Sequence, residues 1–343
     1  MKVSLNTTSN IKNNTQPSFK GFYNNKFLLK SLEFAQKDGS LFNATVSLGL
    51  STFARPIAIL STPKTDKENK KYACSKSISS SLVGYLIMLC ASLPVSGAIG
   101  KIDRNPKKFL EKSTINNLKS GSKDILKSQS YKFATQLFKL GLGLVIAMPK
   151  SVLTCVLIPP IMAAFFNKKQ KTAKQKPLGT NVISFKGLYD VATEKLAQSI
   201  GKIIDKKPFQ KFAKKFYDTN FAQHIMALTD IVLTASFVQQ TNKSKKIDES
   251  RKKTLNFNAI ISTALSIAGG YAINSLTKKQ TERFIEKFTE ANKHSPKLDK
   301  YIEGIKIAKP ALIFGGIYYI FIPLISTFLA DRADLTTRKY FNK

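Results

Sequence analysis

The chain has 343 residues, 43% of them hydrophobic, with three cysteines and no tryptophan; its 55 Lys and Arg outnumber 21 Asp and Glu, a formal charge of +34. So few cysteines exclude a disulfide-stapled secreted module. Only Arg55, Arg104, Arg251, Arg283, Arg332 and Arg338 are arginines, which argues against sequence-specific DNA reading, where paired Arg–guanine contacts dominate.

The apolar residues are gathered into blocks separated by lysine-rich loops. Crossing a hydrocarbon core of ~30 Å takes roughly 20 apolar residues in a helix. Six blocks approach that length: 41–60, 79–100, 133–166, 221–240, 257–276 and 311–330. They predict an all-α, polytopic helical membrane protein with six or seven membrane-crossing segments, basic loops and amphipathic interfacial helices. A soluble bundle of fully buried helices is the competing reading.

Residues 1–40 are polar, have no apolar core of a signal peptide, and read as a disordered lead-in. The first membrane half follows, 41–166. In 41–60, Asn43, Ser47, Ser51 and Arg55 recur every four residues on one face, with Pro56 beside Arg55. In 79–100, Ser92, Ser96 and Gly100 share a small-residue face and Pro94 predicts a kink. The short polar loop between these segments makes them a helical hairpin. Segment 133–166 is too long for one upright span, so it either tilts strongly or breaks at Pro149-Lys150; the break is the reading preferred here.

Residues 167–220 form a basic linker with amphipathic helices. Phe209, Phe212 and Phe216 share one face while Lys211, Lys214 and Lys215 surround it, a pattern suited to a membrane interface or to ordinary packing on protein. The second half, 221–330, begins with a segment carrying Asp230 near its middle. Next come Ser262, Ser266 and Gly270 at fourfold spacing, a face that lets helix backbones approach. Segment 311–330 has no charge and predicts a kink at Pro323, and 331–343 is a short basic tail.

The halves share an order of elements. Ser18-Phe19-Lys20-Gly21 precedes the first trio and Ser184-Phe185-Lys186-Gly187 the second; Val156-Leu157-Ile158-Pro159 and Ile320-Phe321-Ile322-Pro323 sit in the last segment of each. Three crossings per half would make the repeats inverted, as in many transporters. Six crossings, however, leave Lys and Arg balanced between the two sides, whereas a turn at Lys150 gathers them on one. The positive-inside tendency therefore favours the turn, parallel halves, and a cell-membrane protein with a cytoplasmic N-terminus.

Charges at bilayer depth cost at least ~2.5 kcal/mol and tend to pair. Lys139 and His224 lie near segment ends, where a lysine can reach the interface. Arg55 and Asp230 are the intramembrane ion-pair candidates; the alternative is that Arg55 reaches outward while Asp230 bonds to Thr234 or Gln223.

No phosphate loop, nucleophile elbow or zinc-protease motif is present, and Cys74, Cys90 and Cys155 have no metal-ligand spacing. Catalytic residues, cofactors and metals are therefore expected to be none. The expected function is a non-enzymatic membrane protein associating with anionic lipid through its lysines, without specific nucleic acid. A homo-oligomer or a membrane-protein partner is compatible with the small-residue faces. The alternatives are a transporter or channel with a polar path near Arg55 and Asp230, and a soluble helical nucleic-acid-binding protein.

Overall fold

The computed structural model describes residues 20–61, 67–119, 121–166, 185–217, 220–243 and 249–325, and among these every regular element is helical. A short α1 (Lys20–Tyr23) leads into α2 (Lys26–Lys37), whose start is capped by the Asn25 side chain accepting from the Phe27 and Leu28 amides. Residues 20–40 of the expected lead-in are thus folded; residues 1–19 lie outside the described residues. Leu28, Leu32 and Ala35 fall at helical spacing, and Leu32 and Ala35 are buried, so this face joins the core despite its polar surroundings.

The first apolar segment is α3 (Gly39–Gly49), a π turn at Leu50–Ala54, and α4 (Arg55–Leu60). A second π turn, Ile317–Phe321, ends α14 (Leu298–Gly316). Both turns lie immediately before an X-Pro pair, Arg55-Pro56 and Ile322-Pro323, and in both the residue before proline donates its amide five residues back, to Leu50 and Ile317. Proline has no amide hydrogen and its ring collides with the carbonyl four residues earlier. The wider turn moves that carbonyl aside and lets the helix continue.

Between them lie α5 (Lys67–Arg104), α6 (Pro106–Phe109), α7 (Lys112–Lys119), α8 (Gln129–Phe166), α9 (Phe185–Ile204), α10 (Lys207–Phe216), α11 (Phe221–Lys243), α12 (Glu249–Leu276) and α13 (Lys278–Ala291). Five stretches are long and apolar enough to cross a membrane: Ser77–Arg104, Gln129–Leu153, Phe221–Lys243, Ala259–Leu276 and Leu298–Ile325. The preferred break at Pro149-Lys150 is not found, because α8 runs through both residues without interruption. Pro94 and Pro310 likewise lie inside continuous helices.

The six long elements close into a ring. α5 packs on α3, α3 on α14, α14 on α12, α12 on α11, α11 on α8, and α8 again on α5, with α3·α8 and α11·α14 contacts across the middle. Exchanging α3 with α11, α5 with α12 and α8 with α14 maps every one of these pairings onto another. The long helices of the two halves therefore share one pattern of pairings.

They also run the same way. Phe133 meets Phe221, and Gly143 meets Thr229, so α8 and α11 are parallel; Gly39 meets Ile307 and Gly315 meets Leu50, so α3 and α14 are parallel too. The halves are parallel although each holds three long helices and α8 does not turn back. The return path includes α9, which lies along the end of α5 in the same direction: Tyr189 Oη donates to the Leu93 carbonyl, and Gly201 abuts the Phe109 carbonyl.

One end of the ring, termed the first face, collects the starts of α3, α8, α11 and α14. It is capped by two clusters of amphipathic helices. Leu32, Ala35, Phe288, Tyr301 and Ile305 anchor α2 and α13 to α14. Ile99, Ile102, Leu118, Tyr131, Ile200 and Ile204 join α5, α7, α8 and α9.

Candidate functional site

The ring has its polarity turned outside in. Large apolar side chains, among them Phe53, Leu86, Val145, Leu228, Ile260 and Leu312, are exposed on its outer surface, while Asp38, Ser40, Ser92, Gln136, Lys139, Gln223 and Ser266 are buried. Burying such groups costs free energy unless they find partners, and their partners fall into three layers.

Nearest the first face, Asp38 joins α2 to α3. Its carboxylate accepts from the Leu41 amide (3.0 Å) as the α3 cap and from Ser96 Oγ of α5 (2.7 Å). Ser96, read from sequence as a small packing residue, is therefore a polar anchor. Tyr131 Oη donates to Asp103 (2.7 Å), and Glu303 accepts from Gln36 (3.3 Å) and Gln136 (3.1 Å). Lys139 lies in the field of Asp103, Glu303 and Asp38 and is only 7% exposed. It does not reach outward to the interface as its place near a segment end suggested; the charges of Asp103 on α5, Glu303 on α14 and Asp38 at the α2–α3 junction act on it from inside the ring. Beside this layer a cleft of about 200 Å³ opens between α8, α11 and α14, with Lys132, Gln136, Tyr217, Glu303 and Lys306 on its walls. Gln136 Oε1 is buried there without a hydrogen-bond partner.

In the middle layer Lys150 and Asp230 interact electrostatically across α8 and α11. Gly84 of α5 makes room for the lysine: a β-carbon there would lie 2.6 Å from Lys150 Cε and 3.1 Å from Nζ. Near the second face, Arg55 lies over the rings of Tyr318 and Tyr319, 5.5 and 5.9 Å from their centroids. The structure thus gives Arg55 and Asp230 different neighbours, and no ion pair joins them among the described residues. Lys150 was the missed group: it was assigned to a turn, but the helical spacing of residues 146, 147, 150 and 151 places it on the inward face.

The other sequence candidates are structural in these surroundings. Ser92 is buried and bonds to the Leu89 carbonyl (3.5 Å); Gly100 has no neighbour close enough to require glycine. Ser266 is buried, Ser262 is half-buried, and Gly270 accommodates the Phe314 ring. The aromatic face of α10 packs on protein. Phe209 meets Phe138, while Phe212 meets Phe133, Phe216 and Phe221. Lys211, Lys214 and Lys215 remain exposed, with Lys214 donating to Asn117 (3.3 Å).

Comparison with known protein families, curated proteins and solved structures finds no match. Two groups of charged side chains form surface latches. A hydrogen bond from Lys297 (2.7 Å) holds the Glu33 carboxyl below its usual range. Lys108 and Lys101 do the same for Glu194, tying α9 to α5 and α6. Burial pushes the Cys74 thiol up, opposed by the Arg55 guanidinium. No cluster of His, Cys, Asp and Glu able to hold a metal occurs among the described residues.

Proposed function

We propose that this chain is a multi-pass integral membrane protein, non-enzymatic, held in an anionic bilayer by its lysine-rich flanks, with the first face in the cytoplasm. The observation that carries this reading is the ring's reversed polarity: exposed Phe53, Leu86, Val145, Leu228, Ile260 and Leu312 surround buried Asp38, Gln136, Gln223 and Lys139. Water would penalise that exterior, whereas lipid tails solvate it. The cap helices supply many lysines to the first face, in keeping with the positive-inside tendency, and each lysine near an anionic surface contributes ~1 kcal/mol.

The test is extraction. Alkaline carbonate should leave the protein in the membrane pellet, and purified protein should need detergent. Recovery as a monodisperse species from detergent-free buffer would overturn the reading in favour of a soluble helical protein, for which nucleic acid is the natural polyanion.

A second reading, a transporter or channel for a small ion, is favoured by the Lys150–Asp230 pair and by Lys139 among three carboxylates. Charges at this depth commonly mark ion paths, and parallel repeats occur in transporters. It requires solute flux into proteoliposomes that Asp230→Asn abolishes; equal flux with and without protein would end it.

A further inference from the structure

Arg55 sits where the two π turns meet, since Leu50–Ala54 and Ile317–Phe321 pack against each other. Its surroundings are aromatic and hydroxylic. Tyr318 and Tyr319 present their ring faces, and Tyr319 is in turn bonded to Ser47 and Ser81. The Arg55 charge also acts on the Cys74 thiol. No carboxylate pairs with Arg55 among the described residues, and its Nε is buried without an acceptor.

A guanidinium is a fixed positive charge with a planar fork of donors. Aromatic faces offset part of its desolvation but accept no in-plane hydrogen bond, so the donor edge is left for another group. Lys139 and Lys150 show how this protein treats its other inward cations: both have acids in their field. Arg55 has no such acid beside it among the described residues.

We propose that Arg55, backed by Tyr318 and Tyr319, is a binding site for a phosphate group, supplied by a lipid headgroup of the second-face leaflet or by phosphate free in solution. The donor chemistry favours phosphate, and the depth and apolar surroundings of Arg55 favour a lipid as its source. Paired N–H donors of arginine match two oxygens of one phosphate. Arg55 lies five residues before the end of α4 at Leu60, about 7.5 Å along the helix, a depth suited to a headgroup just above hydrocarbon. Phe53, Ile57, Leu60 and Phe321 are exposed on the same corner and offer an apolar track for acyl chains. Beside the α4 end, Lys70 donates to the Leu60 carbonyl (3.1 Å), adding positive potential. The lipid source rests on the membrane reading above; the free-phosphate source does not.

The experiment titrates the purified full-length chain with detergent-solubilised phosphatidic acid, with a phosphate-free galactolipid of the same chain length, and with inorganic phosphate. Binding is read by calorimetry and by apparent Tm. Phosphatidic acid should bind and raise Tm where the galactolipid does not, and Arg55→Gln should weaken it about tenfold or more, with Arg55→Lys in between. Saturation by inorganic phosphate alone, lost in Arg55→Gln, supports the site and assigns its occupant to solution. Equal binding by native protein and Arg55→Gln, or no binding of either phosphate compound, overturns the proposal. Should Arg55→Gln not fold, Tyr318→Leu at the more exposed ring carries the same comparison: unchanged affinity there overturns it. Because the carbonate test is separate, a protein that proves soluble removes the lipid source and leaves the inorganic phosphate result decisive.

Discussion

Replacing Gly304 by alanine should separate α2 from α14. A β-carbon at that position would lie 2.8 Å from the Leu32 carbonyl carbon and 3.0 Å from its Cα. Ordinary carbon–carbon contacts are 3.5–4.0 Å, and backbone cannot swing aside as a long side chain can. Helix α2 must therefore retreat by roughly 0.7–1 Å. That shift loosens buried Leu32 and Ala35 and stretches the bond from Gln136 Nε2 to the Gln36 carbonyl (2.6 Å). Overpacking of this kind costs ~1–3 kcal/mol, against which alanine regains up to ~1 kcal/mol of helix propensity. The net loss of up to ~2 kcal/mol corresponds to a fall of up to roughly 4 °C in apparent Tm for a chain of this size. Far-UV circular dichroism in detergent, followed with temperature, reads it without needing tryptophan. Gly100→Ala is the control, since a β-carbon there would have no neighbouring atom within 4 Å, and should melt at or slightly above the native temperature. If Gly304→Ala melts as high as Gly100→Ala, the close approach of α2 and α14 is wrong.

Exchanging charges tests the middle layer: Lys150→Asp and Asp230→Lys should each lower folded yield, with single losses of ~3–5 kcal/mol, and the double exchange should recover part of it. Arg55→Asp combined with Asp230→Arg should show no recovery; rescue by that pair would refute the assignment of Lys150 as the partner. Ser96→Ala leaves one Asp38 oxygen without its donor and should cost ~1–3 kcal/mol in denaturant titrations, whereas an effect below experimental error would mean that Asp38 is satisfied without it. The Glu33–Lys297 latch gives a pH dependence of known sign. Because Glu33 is held below its unfolded value, its contribution is full above the ordinary carboxylate range and is lost as pH falls through the folded value. Both side chains are partly exposed, so solvent screening limits the loss to under ~1 kcal/mol; Lys297→Ala should remove that part of the acid dependence, and an unchanged acid limb would dismiss the latch.

Much of the architecture could be read from apolar spacing, because a helix that faces lipid or core on most sides leaves a continuous signal in sequence. Segment 221–240 became α11, and 257–276 became the second part of α12. The start of α14 was harder: Tyr301, Gly304, Ile305 and Ala308 are buried, but Lys300, Glu303 and Lys306 between them dilute the hydropathy. Pro149 misled in the opposite way. Proline disfavours the helix locally, but an otherwise well-packed helix of membrane length tolerates it. The site groups were least legible. Asp38, Asp103 and Glu303 are far apart in the chain and end up around Lys139 only because three helices bring their ends to the same face, information that no local spacing contains.

The same-facing arrangement of the halves has a consequence for how they are joined. Two units sitting side by side in the same direction present like ends to the same face, so a polypeptide leaving the far end of one must travel back before it can begin the next. Helix α8, 38 residues long, carries the backbone about 57 Å outward at 1.5 Å per residue, a distance to be recovered before α11 begins at Phe221. Shortening the chain between α8 and α11 would therefore strain the junction of the two units before it disturbed either one, whereas cutting it should leave two fragments able to reassociate when produced together.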